Sequence, residues 1–154
     1  MTTFYSEDEL CGLGLKRYGA NVLISRNAII YKPDKLEIGS NVRIDDFVTI
    51  SGNVVLGNYI HIAQNSSLFG GTAGILMDDF SGISSHVAIY AVSNDYSGRF
   101  MTNPTVPDKY TCDLGCRAFR AARNCRMWFS SITRSHYTSR VFHWGNVPMQ
   151  QGPS

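Results

Sequence analysis

The stretch from Ile38 to Leu68, IGSNVRIDDFVTISGNVVLGNYIHIAQNSSL, returns an aliphatic residue at every sixth position: Ile38, Ile44, Ile50, Leu56, Ile62 and Leu68. Four places after each of the first four stands a second apolar, β-branched residue (Val42, Val48, Val54, Ile60), and after Ile62 the small Ser66. The positions between are mostly Gly, Asn, Asp, Arg, Ser and Thr. An amphipathic helix repeats at 3.6 residues and an isolated strand at 2, so neither accounts for a period of six. A chain wound into triangular coils does, with three short strands per coil and each sixth side chain pointing inward. Stacked coils then bury an aliphatic column.

Working outward, the pattern extends in both directions. Ile24 and Ile30 are six apart, and an eight-residue step through YKPDKL leads to Ile38, with Pro33 and Asp34 marking a turn with a small insertion. After Leu68 the register breaks at GGTAG and resumes with Met77, Ile83 and Ile89. The step from Leu68 to Met77 is three longer than a hexad, which a Gly-rich bulge at a coil corner absorbs. Ahead of the coils, Ser6 and Glu9 have the spacing of a capping box and predict a short helix. Leu10 and Leu13 share one face of it, and Gly12 and Gly14 stop it within about two turns. Such a helix is an end cap, because the first coil of a solenoid otherwise exposes its core and strand edges.

Length and composition bound the reading. With 154 residues, 44% apolar and 17% charged, the chain is expected to be one soluble domain with a real core. The N-terminus, MTTFYSEDELCGLG, has neither the basic start nor the apolar segment of a signal peptide, and no run approaches a membrane span. Four irregularly spaced cysteines (Cys11, Cys112, Cys116, Cys125) favour free thiols, so a cytoplasmic location is expected. The net charge of +2 conceals an asymmetry. Residues 1–111 hold 8 Lys or Arg against 11 Asp or Glu, whereas 112–154 hold 6 Arg and only Asp113.

From Ala91 to Thr111 runs AVSNDYSGRFMTNPTVPDKYT, without periodicity. Its Tyr96, Phe100, Met101 and Tyr110 argue for an ordered loop protruding from the coils. The hexads, together with SNDYSG and TNPTVP, resemble the hexapeptide-repeat acyltransferases, and within them the sugar O-acetyltransferases related to the galactoside and maltose acetyltransferases. The resemblance covers roughly residues 5 to 111. It implies an all-β, left-handed parallel β-helix that assembles as a homotrimer. It further implies acetyl-CoA as co-substrate, a sugar or glycan acceptor, and a His acting as general base on the acceptor hydroxyl. Imidazole suits that role because it is largely neutral at cellular pH and can take the hydroxyl proton as the oxygen attacks the thioester.

In the galactoside type that base lies in a loop just after the coil matching ISSHVA and IYAVSN; this chain has SNDYSG there, without a His. Two histidines remain in the patterned part, His61 in NYIHIA and His86 in ISSHVA, neither at an inward aliphatic position. Each is a candidate base, and each can equally cap a coil corner. Asn94, Asp95 and Tyr96 at the start of the loop are candidates to orient a base or hold sugar hydroxyls, or else close an Asx-type turn. No metal site is expected: zinc catalysis usually needs three protein ligands and the coils offer two histidines, while Cys112, Cys116, Cys125, His136 and His143 match no finger spacing.

The tail departs from all of this. Its 43 residues contain only four of Leu, Ile and Val, no Lys and no Glu, but both Trp and three of the four Cys. Back-translated and read one nucleotide later, WGNVPMQQGP permits G-A-M-S-L-C-N-K-D, and NCRMWFS permits I-V-V-C-G-S. The segment around SITRSHYTSR permits an L-P-G followed by I-I-P or T-I-P. These resemble the family's closing motifs, so residues 112–154 are read as an irregular, frame-shifted remnant of further coils. The expected organisation is a cap over 1–20, a β-helix domain over 21–111 with its loop at 91–111, and this tail.

The expected function is an acetyl-CoA-dependent sugar O-acetyltransferase, the chain being inactive if the tail has lost the cofactor side. Two alternatives stand beside it, N-acetylation of an amino sugar nucleotide and a non-catalytic trimeric scaffold. Nucleic-acid binding through the Arg-rich tail is not expected, because the frame-shift reading accounts for its composition.

Overall fold

The computed structural model describes residues 3–94, 97–103 and 105–111, and the strand segments 113–115, 119–121, 126–127 and 132–133. Asp95, Tyr96, Cys112, Cys116, Cys125, His136 and His143 lie outside the described residues.

The capping box forms as the spacing predicts. The Ser6 side chain accepts from the Glu9 backbone N–H, and the Glu9 carboxylate accepts from the Ser6 N–H at 2.8 Å. Helix α1 (Glu7–Gly12) follows and buries Leu10 against the first coil. Arg26 grips the same carboxylate through both guanidinium ends, at 2.8 and 2.6 Å, and so ties the cap to the body. Hydrogen bonds from Arg26 and from Ser6 together pull the Glu9 pKa down to about 2.

The coils then stack as a parallel β-solenoid with three faces. The first face is made by β1 (Leu23–Ile24), β4 (Arg43–Ile44), β6 (His61–Ile62), β8 (Gly82–Ile83) and β13 (Arg126–Met127), paired in that order. The second holds β2 (Ile29–Tyr31), the first part of β5 (Thr49–Leu56), the first part of β7 (Ser67–Met77), β9 (Ala88–Tyr90) and β14 (Ile132–Thr133). On the third, β3 (Leu36–Ile38) pairs with the later part of β5, that part with β7, and β7 with β12 (Phe119–Ala121). Every pairing along these three faces is parallel.

The period of six is the inward-facing set. Ile38, Ile44, Ile50, Leu56, Ile62 and Leu68 are all buried, and the companion positions Val42, Val48, Val54, Ile60 and Ser66 are buried with them. Register stacks like on like: Ile24, Ile44, Ile62 and Ile83 form one column, and Ile38, Leu56 and Met77 another. Aliphatic burial of this kind is worth roughly 1.5–3 kcal/mol per side chain and is the main favourable term for the fold.

Both irregular steps are accommodated as turns and bulges. YKPDKL becomes a left-handed Lys32 followed by a single 3-10 turn over Pro33–Lys35. The three extra residues after Leu68 are taken up where β5 and β7 slip register at Gly52. Backbones approach so closely there that a Cβ added at Gly52 would lie 2.5 Å from the Gly71 nitrogen.

The loop after Tyr90 leaves the coils as an arm. β10 (Val92–Asn94) pairs antiparallel with β11 (Asp113–Gly115), and Met101 bridges Thr111. The irregular tail expected from the sequence is corrected in these segments: β12, β13 and β14 pair with β7, β8 and β9 and carry the coil one layer beyond the hexads. Backbone pairing supplies the physical reason, since a parallel ladder satisfies N–H and C=O groups whatever the side-chain period. No helix among the described residues is long and apolar enough to cross a membrane.

Candidate functional site

At the start of β6, the chain alternates Ile60 inward, His61 outward and Ile62 inward, so the imidazole stands on the first face, about half exposed (51%). The neighbouring positions in register are Arg43 in the coil before and Gly82 in the coil after. Asp45 lies just past β4, and its carboxylate receives His61 Nε2 at 2.8 Å on one oxygen and Arg43 Nε at 2.7 Å on the other. An ionised carboxylate only accepts. The Nε2 proton therefore points at Asp45, which leaves Nδ1 as the basic nitrogen of the neutral ring. Arg43 is itself placed by the Phe4 ring, 5.4 Å below its guanidinium carbon.

Asp45 is only 16% exposed. Burial pushes its carboxyl up, but the hydrogen bonds from His61 and Arg43, with the Arg43 charge, outweigh it and hold the group below the ordinary carboxylate range. Asp45 thus links His61 and Arg43 in one hydrogen-bonded chain, a geometry in which a carboxylate can orient an imidazole for proton transfer. Gly82 carries no side chain at the next position on this face and leaves the space beside His61 open.

His86 is placed differently. It is an exposed corner residue after β8 with a left-handed backbone (φ 60°), stacked above Asn65 and Phe47 at the same corner of the lower coils. Its backbone N–H donates to the Gln64 carbonyl at 3.2 Å, a bond that ties this corner to the coil below. His61 and His86 occupy a strand and a corner, and only His61 pairs with a carboxylate among the described residues. Asn94 ends β10, and its side-chain Nδ2 donates to the Thr102 carbonyl at 3.1 Å across the base of the arm. That places it as a loop clamp. Asp95 and Tyr96 lie outside the described residues. No group of three or more His, Cys, Asp or Glu converges among the described residues.

Asp45 and Arg43 escaped the sequence reading. The available signal was their spacing from His61: eighteen residues separate Arg43 from His61, one full coil of three hexads, so in this coil a residue's neighbour is its eighteenth predecessor. A second corner column carries Asn21, Asn41, Tyr59 and Phe80, all left-handed, with φ of 54°, 59°, 56° and 58°. Asn tolerates this conformation, whereas for a bulky residue it is strained. The Tyr59 and Phe80 rings stack at 4.8 Å and within 3° of parallel.

No family model matches the chain. It is 43% identical over 111 residues to the dTDP-4-amino-4,6-dideoxy-D-glucose acyltransferase of Escherichia coli, covering 70% of this chain and 57% of that protein. Among solved structures it is similar to AntD, an N-acyltransferase from Bacillus cereus. A variant of AntD with dTDP and coenzyme A superposes with a TM-score of 0.74 at 45% identity, over 78% of this chain and 65% of that one. AntD with dTDP and 3-hydroxybutyryl-CoA gives 0.74 at 37% identity, over 88% and 81%. The chain thus spans a little over half the length of its curated relative.

These likenesses correct the expected reaction: AntD is an N-acyltransferase and the Escherichia coli relative a dTDP-amino-sugar acyltransferase, and the galactoside-type O-acetyl transfer to a sugar hydroxyl is withdrawn in favour of the alternative. The physical reason for the error is that the hexads specify the coil and not the acceptor, so they served both subfamilies equally. By its coil architecture, and by its likeness to AntD over four-fifths of that protein's length, the chain belongs to the hexapeptide-repeat β-helix acyltransferases.

Proposed function

We propose that the protein transfers an acyl group from an acyl-CoA to the amine of a dTDP-linked amino sugar of the 4-amino-4,6-dideoxyglucose type. The amine lone pair attacks the thioester carbonyl, the C–N bond forms as the C–S bond breaks, and coenzyme A leaves with its free thiol. One proton must leave the nitrogen. His61, oriented by Asp45, is the described group suited to take it, through Nδ1. The observation that carries the reading is the match to AntD in complex with dTDP and 3-hydroxybutyryl-CoA.

A second observation concerns the acceptor side. AntD has been solved with a serine and, separately, an aspartate replaced, ten positions apart in its chain. In this sequence Ser85 and Asp95 are the only serine and aspartate with that order and spacing. We infer that they are the counterparts, which keeps Asp95 as an acceptor-side residue. Protein in solution is proposed to be a homotrimer, and the exposed apolar residues Leu23, Ile29, Tyr31 and Phe47 supply surface for such contacts.

The reading of 112–154 as out of frame is retained as part of the proposal, supported by six Arg without a single Lys or Glu. The test combines both ideas. The chain and a version with the tail frame restored are incubated with acyl-CoA and dTDP-4-amino-4,6-dideoxyglucose, and thiol release and product mass are followed. The restored chain is expected to add one acyl group per amine and the present chain to turn over far more slowly. Absence of N-acyl product from both chains overturns the function, and equal rates overturn the frame shift.

A further inference from the structure

We propose that the Tyr59–Phe80 corner is a stacking platform for a nucleobase. The inference rests on the reading above, since both co-substrates of that reaction carry a nucleobase. Four features of the corner point the same way. First, the two lower coils fill this corner with Asn21 and Asn41, which accept a left-handed backbone and bond to each other, Nδ2 to Oδ1, at 3.1 Å. The two upper coils replace Asn by bulky aromatics at the same φ, against the local preference of the backbone. Strain of that kind, observed rather than assumed, is a pointer to function.

Second, the rings are not tucked away. Tyr59 is 55% and Phe80 53% exposed, so burial does not repay the strain. Third, the rings stack face to face at 4.8 Å, the spacing of adjacent coils, and within 3° of parallel, so the stack can be extended by a further flat ring laid on an outer face, instead of the tilted packing common in cores. Fourth, the switch from Asn to aromatic occurs in the coil that carries His61, two residues from it, and the next coil leaves Gly82 beside that histidine. A base laid on this corner would hold its ligand beside the His61–Asp45 pair. Base-on-aromatic stacking tolerates any base because every base has a π-face. The corner therefore fits the thymine of a dTDP-sugar or the adenine of an acyl-CoA.

The experiment distinguishes the two. Tyr59→Asn, Phe80→Asn and the double variant restore the residue type of the lower coils and should keep the fold, which circular dichroism and urea unfolding check. Tyr59→Phe keeps the stack and serves as the conservative control. Full-length protein is titrated calorimetrically with dTDP and separately with coenzyme A. The expected result is a loss of roughly tenfold or more in affinity for one of the two in the double variant, with Tyr59→Phe near wild type. The ligand affected identifies the base. Unchanged affinity for both in a folded variant overturns the platform while leaving the acyl-transfer reading intact. If neither the wild-type chain nor its frame-restored version binds either nucleotide, the platform and the functional reading both fall. Should the double variant unfold, saturable quenching of wild-type tyrosine fluorescence by one nucleotide, lost in Tyr59→Asn alone, decides the same question.

Discussion

Replacing Ile62 by Ala removes three carbon groups from a site with no solvent exposure, between Ile44 below and Ile83 above. At about 0.8 kcal/mol per buried methylene the lost transfer energy alone is about 2.4 kcal/mol. The parallel ladders on three faces fix the distance between coils, so the column cannot collapse inward, and the residual cavity raises the cost to roughly 3–4 kcal/mol. Ile29 provides the contrast: it is also an aliphatic residue in a strand, but 48% exposed, so its truncation leaves no enclosed cavity and is worth roughly 1 kcal/mol. The assay is urea unfolding followed by far-ultraviolet circular dichroism, at protein concentrations low enough that the midpoint no longer depends on concentration. An Ile62→Ala cost no larger than that of Ile29→Ala would refute the assignment of the sixth residue to the core.

Three further outcomes are expected. Gly52→Ala should destabilise more than Gly74→Ala, although both residues are left-handed (φ 80° and 87°): the new Cβ meets the Gly71 nitrogen at 2.5 Å in the first case and nothing closer than 3.6 Å in the second. Strain adds roughly 1–3 kcal/mol to each and overpacking roughly 1–3 more to Gly52 alone, so equal melting temperatures would contradict the bulge geometry. Asp45 has a folded pKa below its ordinary 3.8, so the stability it confers is complete above that pH and is lost as pH falls through the lower folded value. The gap in urea midpoint between wild type and Asp45→Asn should be constant from pH 7 to about 5 and close in stronger acid. Glu9, at about 2, follows the same sign: the cap holds above pH 4.5 and loosens as pH falls toward 2, which faster amide hydrogen exchange at Leu10 reports, and Glu9→Gln should show that fast exchange already at neutral pH.

What could be read in advance follows from which features are periodic. The inward column, the capping box and the two long steps are local rules repeated along the chain, and each survives in the structure: buried hexads, a bonded Ser6–Glu9 pair, a 3-10 turn and a register slip at Gly52. The candidate site is not local. Asp45 and His61 meet only because one coil consumes eighteen residues, and a carboxylate sixteen positions back carries no mark in sequence until that length is used as a ruler. Coil length also separates the histidines: His61 sits eighteen residues after Arg43 on a strand beside a carboxylate, whereas the next coil takes twenty-one residues, from His61 to Gly82, and sets His86 on a corner where backbone geometry accounts for it.

The tail shows the converse. Its side chains lack the hexad period, yet Arg126 and Met127 pair with Gly82 and Ile83, and Ile132 with Ile89. Met127 and Ile132 stand five apart where Ile83 and Ile89 stand six apart, so a strict period-six search passes over the register that backbone pairing finds. Acceptor chemistry lay furthest from reach. Oxygen and nitrogen nucleophiles require the same coil, the same thioester and the same kind of base, and they differ only in the few side chains that hold the acceptor. Of the two counterparts proposed, Asp95 falls in the aperiodic arm after Tyr90, where neither a repeat length nor a register constrains which residue comes next.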